Sequence, residues 1–247
     1  MPQGEGWFIQ FDNAEPVYAD LVIAADGAHS KLRKYLTSIQ ACYSGVTIVE
    51  GAVADSAGQC TAIHALLKGG KIFAFGSEKS LIVSSKGHGS LVFYTGCRTD
   101  ESWVKISGID FTDRDQVLHW FRQTFTDWSP IWIELFKNAA PAFVPRPQYY
   151  MPFDQYWPSQ ANLTILGDAA HVMPPYAGEG VNMAMLDAVE LATCLMDPHY
   201  TDLKAAIGTY EDQMRQRTSA VAQLTMHSTE QLHQEGALTW FLNQKNN

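Results

Sequence analysis

Cysteine is scarce in this chain of 247 residues. Its four cysteines, Cys42, Cys60, Cys97 and Cys194, never form a C-x-x-C pair, which excludes a zinc cluster or a disulfide framework and fits a reducing compartment. An uninterrupted apolar run of about 18 residues is missing, as is a basic-then-apolar leader, so a soluble cytoplasmic protein is expected. Basic residues are outnumbered, 17 Lys and Arg against 26 Asp and Glu for a formal net charge of −9. No Lys/Arg cluster offsets that balance, and nucleic acid is excluded as a routine partner because phosphate binding needs a basic face. Without a G-x-S-x-G elbow, Ser84, Ser85 and the histidines near them form no nucleophile–base arrangement. Repeats and low-complexity segments are absent too.

What is present is globular: 46% hydrophobic, 17% charged and 12% aromatic residues. Residues 7–11 alternate as a strand. Residues 21–25 are a continuous apolar run, the pattern of a parallel strand covered on both faces. That run stops at Asp26-Gly27, and Ser30 then caps a short helix whose Lys31, Arg33 and Lys34 read as a solvated face. Between 42 and 106, β-rich runs at 46–53, 71–75, 80–85 and 90–97 predict an antiparallel meander, one face against a core or ligand and the other solvated. Thr112 is placed as the cap of a helix to about residue 128, with Val117, Leu118, Phe121 and Phe125 on one stripe, and Ser129-Pro130 starts another helix. Trp120, Trp128, Trp132 and Trp157 read as core residues. A proline-rich stretch over 141–152 leads to a strand at 163–166. Residues 181–196 are apolar on several faces, with Val181, Met185, Ala188, Ala192 and Leu195 on one, which predicts a buried helix ended by Pro198. Helical spacing continues over 202–233.

The stretch "LTILGDAAHVMPPYAGEGVN", residues 163–182, concentrates the chemistry. A strand ends at Gly167-Asp168, and a loop with Pro174, Pro175, Gly178 and Gly180 runs into a helix. The N–H groups of Gly180, Val181 and Asn182 at that helix start, with the macrodipole, suit an anion or an electron-rich ring edge. A carboxylate at a strand's C-terminal edge suits hydroxyls instead, as on a polyol chain. One ligand with hydroxyls near an electron-accepting ring fits both; that is a flavin. His171 reads as a structural histidine bonded to backbone.

"TILGDAAHVMPPYAGEGVNMAMLDAVELA" resembles the GD motif of the class A flavin-dependent aromatic hydroxylases, the para-hydroxybenzoate hydroxylase-like family, and "DLVIAADGAHSKLR" resembles their DG motif. Within the family, "GDAAHVMPPYAGEGVN" and "TDWSPIW" are most similar to the tetracycline-inactivating monooxygenases. The resemblance implies an α/β fold: an incomplete FAD/NAD(P)-binding Rossmann-like domain, an inserted antiparallel β-sheet substrate domain and a long C-terminal helix. Residues 1–40 and 151–200 would belong to the FAD domain, 41–150 to the substrate domain and 201–247 to the C-terminal helix. By the same resemblance Asp168 binds the ribityl hydroxyls of FAD, while Pro175, Gly178, Gly180, Val181 and Asn182 line the isoalloxazine ring. Asp26 and Gly27 lie near the pyrophosphate and the place where NADPH docks, and the meander roofs the substrate cavity. The implied activity is NAD(P)H-dependent hydroxylation of an aromatic or polycyclic small molecule by molecular oxygen through a flavin C4a-hydroperoxide, with no catalytic side chain nominated.

Two departures qualify this. The family opens with a strand, a G-x-G-x-x-G turn and a helix, whereas the only early glycines here, Gly4 and Gly6, precede a strand. The chain is therefore expected to be an N-terminally truncated member whose parallel layer of DG and GD strands lacks its central first strand, leaving open edges, unburied apolar faces and a weakened FAD site. A non-catalytic remnant, or a partner for a separately encoded N-terminal half acting as a binding module, is the alternative. At the substrate positions matched by eye stand Glu50, Lys71, Val92 and Tyr94, types that differ from the tetracycline-inactivating relatives and argue against tetracycline itself.

Overall fold

The computed structural model describes residues 2–3 and 5–245; Gly4 lies outside the described residues. In chain order the strands are β1 (Pro2–Gln3), β2 (Gly6–Ile9), β3 (Val17–Ala19), β4 (Val22–Ala24), β5 (Cys42–Val53), β6 (Lys71–Gly76), β7 (Lys79–Ser85), β8 (Leu91–Arg98), β9 (Val144–Tyr150) and β10 (Leu163–Ile165). The helices are α1 (Ser56–Gln59), α2 (Thr61–Leu67), α3 (Trp103–Ile106), α4 (Arg114–Thr124), α5 (Ile133–Asn138), α6 (Asp168–His171), α7 (Gly180–Met196), α8 (Leu203–Leu232) and α9 (Ala237–Lys245). None of the described helices is long and apolar enough to cross a membrane. The chain divides into two compact units, one formed by the residues up to Cys42 with Tyr149–His227, the other by Tyr43–Gln148 with the residues from Ser228 onward.

In the first unit β4 and β10 are parallel neighbours, Val22 opposite Leu163 and Ala24 opposite Ile165. The DG and GD strands bond each other directly and form a two-stranded sheet among the described residues, so the outer sides of both β4 and β10 are unpaired edges. The structure corrects the reading of 21–25 as covered on both faces. Val22 and Ala24 are buried but Ile23 is 43% exposed, since a continuous apolar run records what a strand can bury and not what lies over it. Beneath β10 packs α8, whose Tyr210 hydroxyl donates to the Ile165 carbonyl (3.0 Å). Its buried Glu211 accepts from the hydroxyls of Thr164 (2.9 Å) and Ser159 (2.6 Å), so the buried carboxylate is satisfied by hydrogen bonds.

Further expectations need correction here. Arg33 is not on a solvated face. It opens a 3-10 turn, Arg33–Tyr35, that carries it inside, 7% exposed; the cap position is Leu32 and not Ser30, although the Ser30 Oγ accepts from the N–H of Leu32 and Arg33 just ahead of the turn. Helix α7 is not buried all round: only Asp187, Leu191 and Cys194 form its covered stripe, while Val181 (72%), Met185 (66%), Val189 and Met196 face outward. An all-apolar pattern fixes the helix but not which sides other elements cover. The C-terminal segment is two helices, not one, because Gly236 at φ +80° breaks α8 from α9.

The second unit is built on the predicted meander, extended to a five-stranded sheet of order β6-β7-β8-β5-β9 that is antiparallel from β6 to β5. The fifth strand, β9, lies in the proline-rich stretch that the sequence reading left without a strand. Pro145 and Pro147 stand two residues apart, so both missing N–H groups fall on one side, and an edge strand tolerates that. One face of the sheet carries Val49, Val53, Leu81, Val83, Leu91 and Phe93 into a core with α2, α4 and α5. Gly51 stands opposite Phe93 because a Cβ there would lie 2.4 Å from the Phe93 ring. Helix α4 has the predicted stripe, with Asp113 instead of Thr112 as its cap: the Asp113 carboxylate accepts from the N–H of Asp115 and Gln116, while Thr112 bonds Asp110. Ser129 caps the turn at Pro130–Trp132 as expected. Helices α1 and α2, unforeseen, begin at Asp55, whose side chain caps α1.

Candidate functional site

The parallel register brings the two motifs to one edge. With Ala24 opposite Ile165, Asp26-Gly27 and Gly167-Asp168 both leave the C-terminal ends of adjacent strands, the edge where open α/β sheets hold ligands. Gly167 turns the chain at φ +61° and ψ −148°, a conformation closed to other residues. A Cβ on it would also come within 3.2 Å of the Ala184 Cβ on α7. This one residue therefore lets the strand end meet the helix closely.

Asp168 follows at the first position of α6, exposed to solvent. No described group is bonded to its carboxylate, and its Oδ1 lies 4.0 Å from the point where a side chain on Gly180 would begin. Pro175 opens a 3-10 turn that ends at Gly178, φ +75°. After it, α7 starts without a side-chain cap, and its first intrahelical bond is Met183 N–H to the Glu179 carbonyl (3.0 Å). The N–H groups of Gly180, Val181 and Asn182 are thus unused, while the Asn182 side chain donates to the Glu179 carboxylate. A free carboxylate and a free helix N-terminus face the same space, cleared by the absent side chain of Gly180. That donor and acceptor set fits a polyol chain joined to an electron-poor ring, which is the flavin part of FAD.

Asp26 has a local duty: its Oδ2 accepts the Lys31 N–H (2.8 Å), and Gly27, φ +80°, gives its carbonyl to the Ser30 N–H. The residue that ties the two motifs together is Arg33. Its Nη1 donates to the carbonyls of Ala169 (3.1 Å) and Ala170 (2.9 Å) on α6, its Nη2 to Gln155 Oε1 (2.6 Å) and its Nε to the Ile39 carbonyl (3.3 Å). The guanidinium also lies over the Trp157 ring. Burial pushes it down to about 10, which leaves it charged at neutral pH.

Below the turn sits a second group that the motif did not disclose. His171 is structural, as expected, but its partner is a carboxylate and not the backbone: Nε2 lies 2.5 Å from Asp187 Oδ2, which also accepts the Gly167 N–H (2.8 Å). Arg217 from α8 donates to Asp187 Oδ1 (3.0 Å) and pairs with Glu190. Burial alone would raise the Asp187 pKa, but the bonds from His171, Gly167 and Arg217 outweigh it and hold the carboxyl below its ordinary range. The sequence signal for this clamp was Asp187 with Glu190, the two charges in an otherwise largely apolar helix.

In the second unit, register places Glu50, Tyr94, Ile82 and Phe73 in one row and Ala52, Val92, Ser84 and Lys71 in the next. All four matched residues, Glu50, Lys71, Val92 and Tyr94, therefore share the sheet face turned away from the core. Glu50 is held by Arg146 Nε at 2.6 Å. Tyr94 has its pKa raised, by burial first and by the Glu50 charge second. At the β6 end of this face Phe73 and Phe75 pack on Phe241 of α9, and Ser80 bonds the buried His233 (3.0 Å). Among the described residues no group of three His, Cys, Asp or Glu can hold a metal ion.

Comparison with known proteins agrees with this geometry. Residues 157–225 match the family model described as an FAD binding domain. The FAD-dependent monooxygenase ntnJ of a Nectria species is 26% identical over 239 residues, covering 90% of this chain and 53% of that protein. HpxO of Klebsiella pneumoniae, solved with FAD and uric acid, superposes over 100% of this chain and 61% of its own at a TM-score of 0.78 with 22% identity. Tetracycline destructase Tet(51) superposes over 96% and 61% at 0.66 with 17% identity. The chain spans about half the length of the curated relatives it matches. Residues 157–225 thus match an FAD binding domain, and the chain as a whole is similar in sequence and fold to FAD-dependent monooxygenases.

Proposed function

We propose that the chain provides the flavin-ring and substrate portion of a cytoplasmic NADPH- and oxygen-dependent monooxygenase acting on an aromatic or polycyclic small molecule. The observation that carries this is the unbonded Asp168 carboxylate facing the uncapped start of α7 across Gly180. Bound FAD, reduced by NADPH, supplies the oxygen-activating chemistry. Asp168 would accept hydrogen bonds from the ribityl hydroxyls. The N–H groups of Gly180, Val181 and Asn182 would stabilise negative charge at the edge of the ring, with Pro175 and Gly178 shaping the loop against it. Asp26 and Gly27 are assigned to the pyrophosphate side. The sheet face carrying Glu50, Lys71, Val92 and Tyr94 is assigned to the substrate; uric acid in HpxO is the size and flatness of ligand we have in mind.

A second reading has the chain working with a separately encoded polypeptide that completes the nucleotide half of the site. It is favoured by the open outer edge of β4 and the outward apolar residues Val181, Met185, Val189 and Met196 of α7. Titration of the protein with FAD, followed by flavin fluorescence and the visible spectrum, tests the cofactor assignment. Saturable binding that D168N weakens is expected, and no binding in excess FAD would overturn it. Oxygen uptake and NADPH oxidation over a panel of aromatic compounds then test the activity. FAD affinity that rises only when the relatives' N-terminal half is added in trans would select the second reading.

A further inference from the structure

The clamp under the GD turn has a geometry that exceeds what core packing requires. One buried carboxylate, Asp187, receives donors from three separate elements: the Gly167 N–H at the end of β10, the His171 ring on α6 and the Arg217 guanidinium on α8. Asp187 itself belongs to α7, whose first residues present the unused N–H groups. Gly167 and His171 bracket Asp168, and the backbone N–H of His171 closes on the Gly167 carbonyl (2.9 Å). The ligand-facing carboxylate and the ligand-facing helix start are thus fastened to each other through a single side chain. An ionised carboxylate only accepts, so His171 must carry its proton on Nε2; its Nδ1 has no partner among the described residues.

Resting on the FAD reading above, we propose that Asp187 is a positioning residue for the cofactor site, fixing through Gly167 and His171 the separation between Asp168 and the N-terminus of α7. Three donors converge on its two oxygens. An asparagine would have to aim its NH2 either at Arg217 or at the Gly167 and His171 hydrogens, so D187N breaks one end of the clamp while keeping the side chain's volume. A displaced first shell then weakens ligand binding well beyond the change in stability.

The test compares FAD affinity of the protein, read by flavin fluorescence, in D187N and in L191A, a truncation of the next buried residue on the same helix stripe, whose apolar side chain gives the clamp no hydrogen bond. The expected result is roughly a tenfold or greater rise in Kd for D187N, with about threefold or less for L191A at equal or larger loss of stability. Backbone amide exchange at residues 167–171, measured without flavin, should accelerate in D187N and not in L191A. Equal weakening in both variants, or unchanged affinity in D187N, overturns the proposal and leaves the cofactor assignment standing. Should D187N not fold, H171L against H171Q decides: H171Q, which keeps a donor near the Nε2 position, should restore affinity, and identical affinities overturn the proposal. If the unaltered protein binds no FAD while exchange at 167–171 still responds to D187N, the cofactor reading fails, the clamp stands as a structural device only, and the positioning role falls with that reading.

Discussion

Replacing Arg33 by methionine removes a guanidinium and keeps much of the aliphatic packing, so the variant isolates its hydrogen bonds. In R33M the Ala170 carbonyl retains the Gln155 Nε2 donor (3.0 Å), and the Ile39 carbonyl lies where water can reach it. The Ala169 carbonyl and Gln155 Oε1 lose the donor that Arg33 gives them, both in a buried setting. An orphaned buried acceptor costs about 1–3 kcal/mol, so the two amount to roughly 2–6 kcal/mol. Relief from desolvating the guanidinium offsets part of this, and we expect a net loss of about 3 kcal/mol. For a chain of this size that is roughly 6–12 °C in Tm. Urea unfolding followed by circular dichroism measures it. Lysine at this position offers one ammonium where a planar fork spans four acceptors, so R33K should recover less than half of the loss. A loss below about 0.5 kcal/mol in R33M is the behaviour of a solvated side chain; it would refute the reasoning and restore the reading of residues 31–34 as a charged surface.

G167A should destabilise by at least about 2 kcal/mol in the same assay, since it must hold alanine at φ +61° and seat a Cβ 3.2 Å from that of Ala184. Burial pushes His233 down to about 4 from an ordinary 6.5, so between these values the unfolded chain binds more protons than the native one. Stability is full above pH 6.5 and falls as pH drops through that window, by up to about 3 kcal/mol, and H233Q should flatten that part of the pH–stability curve. E50A should cost less than about 1 kcal/mol, with the cost shrinking in salt, because Glu50 and Arg146 are partly exposed; a larger loss measured by urea unfolding would mean that the pair organises more of the sheet face than its contacts indicate.

What the sequence disclosed is the part written in local chemistry. Strands β5 to β8 alternate, Ser129-Pro130 caps a turn, and Gly178 in the loop takes the positive φ of a tight turn. Each of these depends on residues within one or two turns of one another. The corrections share the opposite property. Arg33 meets Ala169 and Ala170 across more than 130 residues of chain, and Asp187 meets Gly167 only because α7 folds back over the strand end. A charged residue with others one and two positions away, as Arg33 has in Lys34 and Lys31, reads as surface until the acceptors that bury it are known. Helix α7 erred in the reverse sense: composition announced burial for Val181 and Met185, but burial is a property of what lies opposite, and nothing in the helix's own residues specifies that.

The same distinction explains why two individually weak dipeptides define a site. Asp-Gly ends strands everywhere, and Gly-Asp opens turns; neither by itself selects a ligand. Their meaning comes from the pairing of Ala24 with Ile165, which sets both turns at one edge of a parallel pair. A slip of one residue would send the strand's side chains to opposite faces, taking Leu163 and Ile165 out of the core and lifting Gly167 off Ala184. Burial of Leu163, Ile165, Val22 and Ala24 therefore holds the register, the register sets the turns, Arg33 bonds the turn after β4 to α6, and Asp187 bonds Gly167 and His171 from α7. The side chains that hold these turns are hydrophobic or buried and charged, while the groups left unbonded among the described residues are one carboxylate and three backbone N–H groups, the set that the proposed flavin's polyol and ring edge would require.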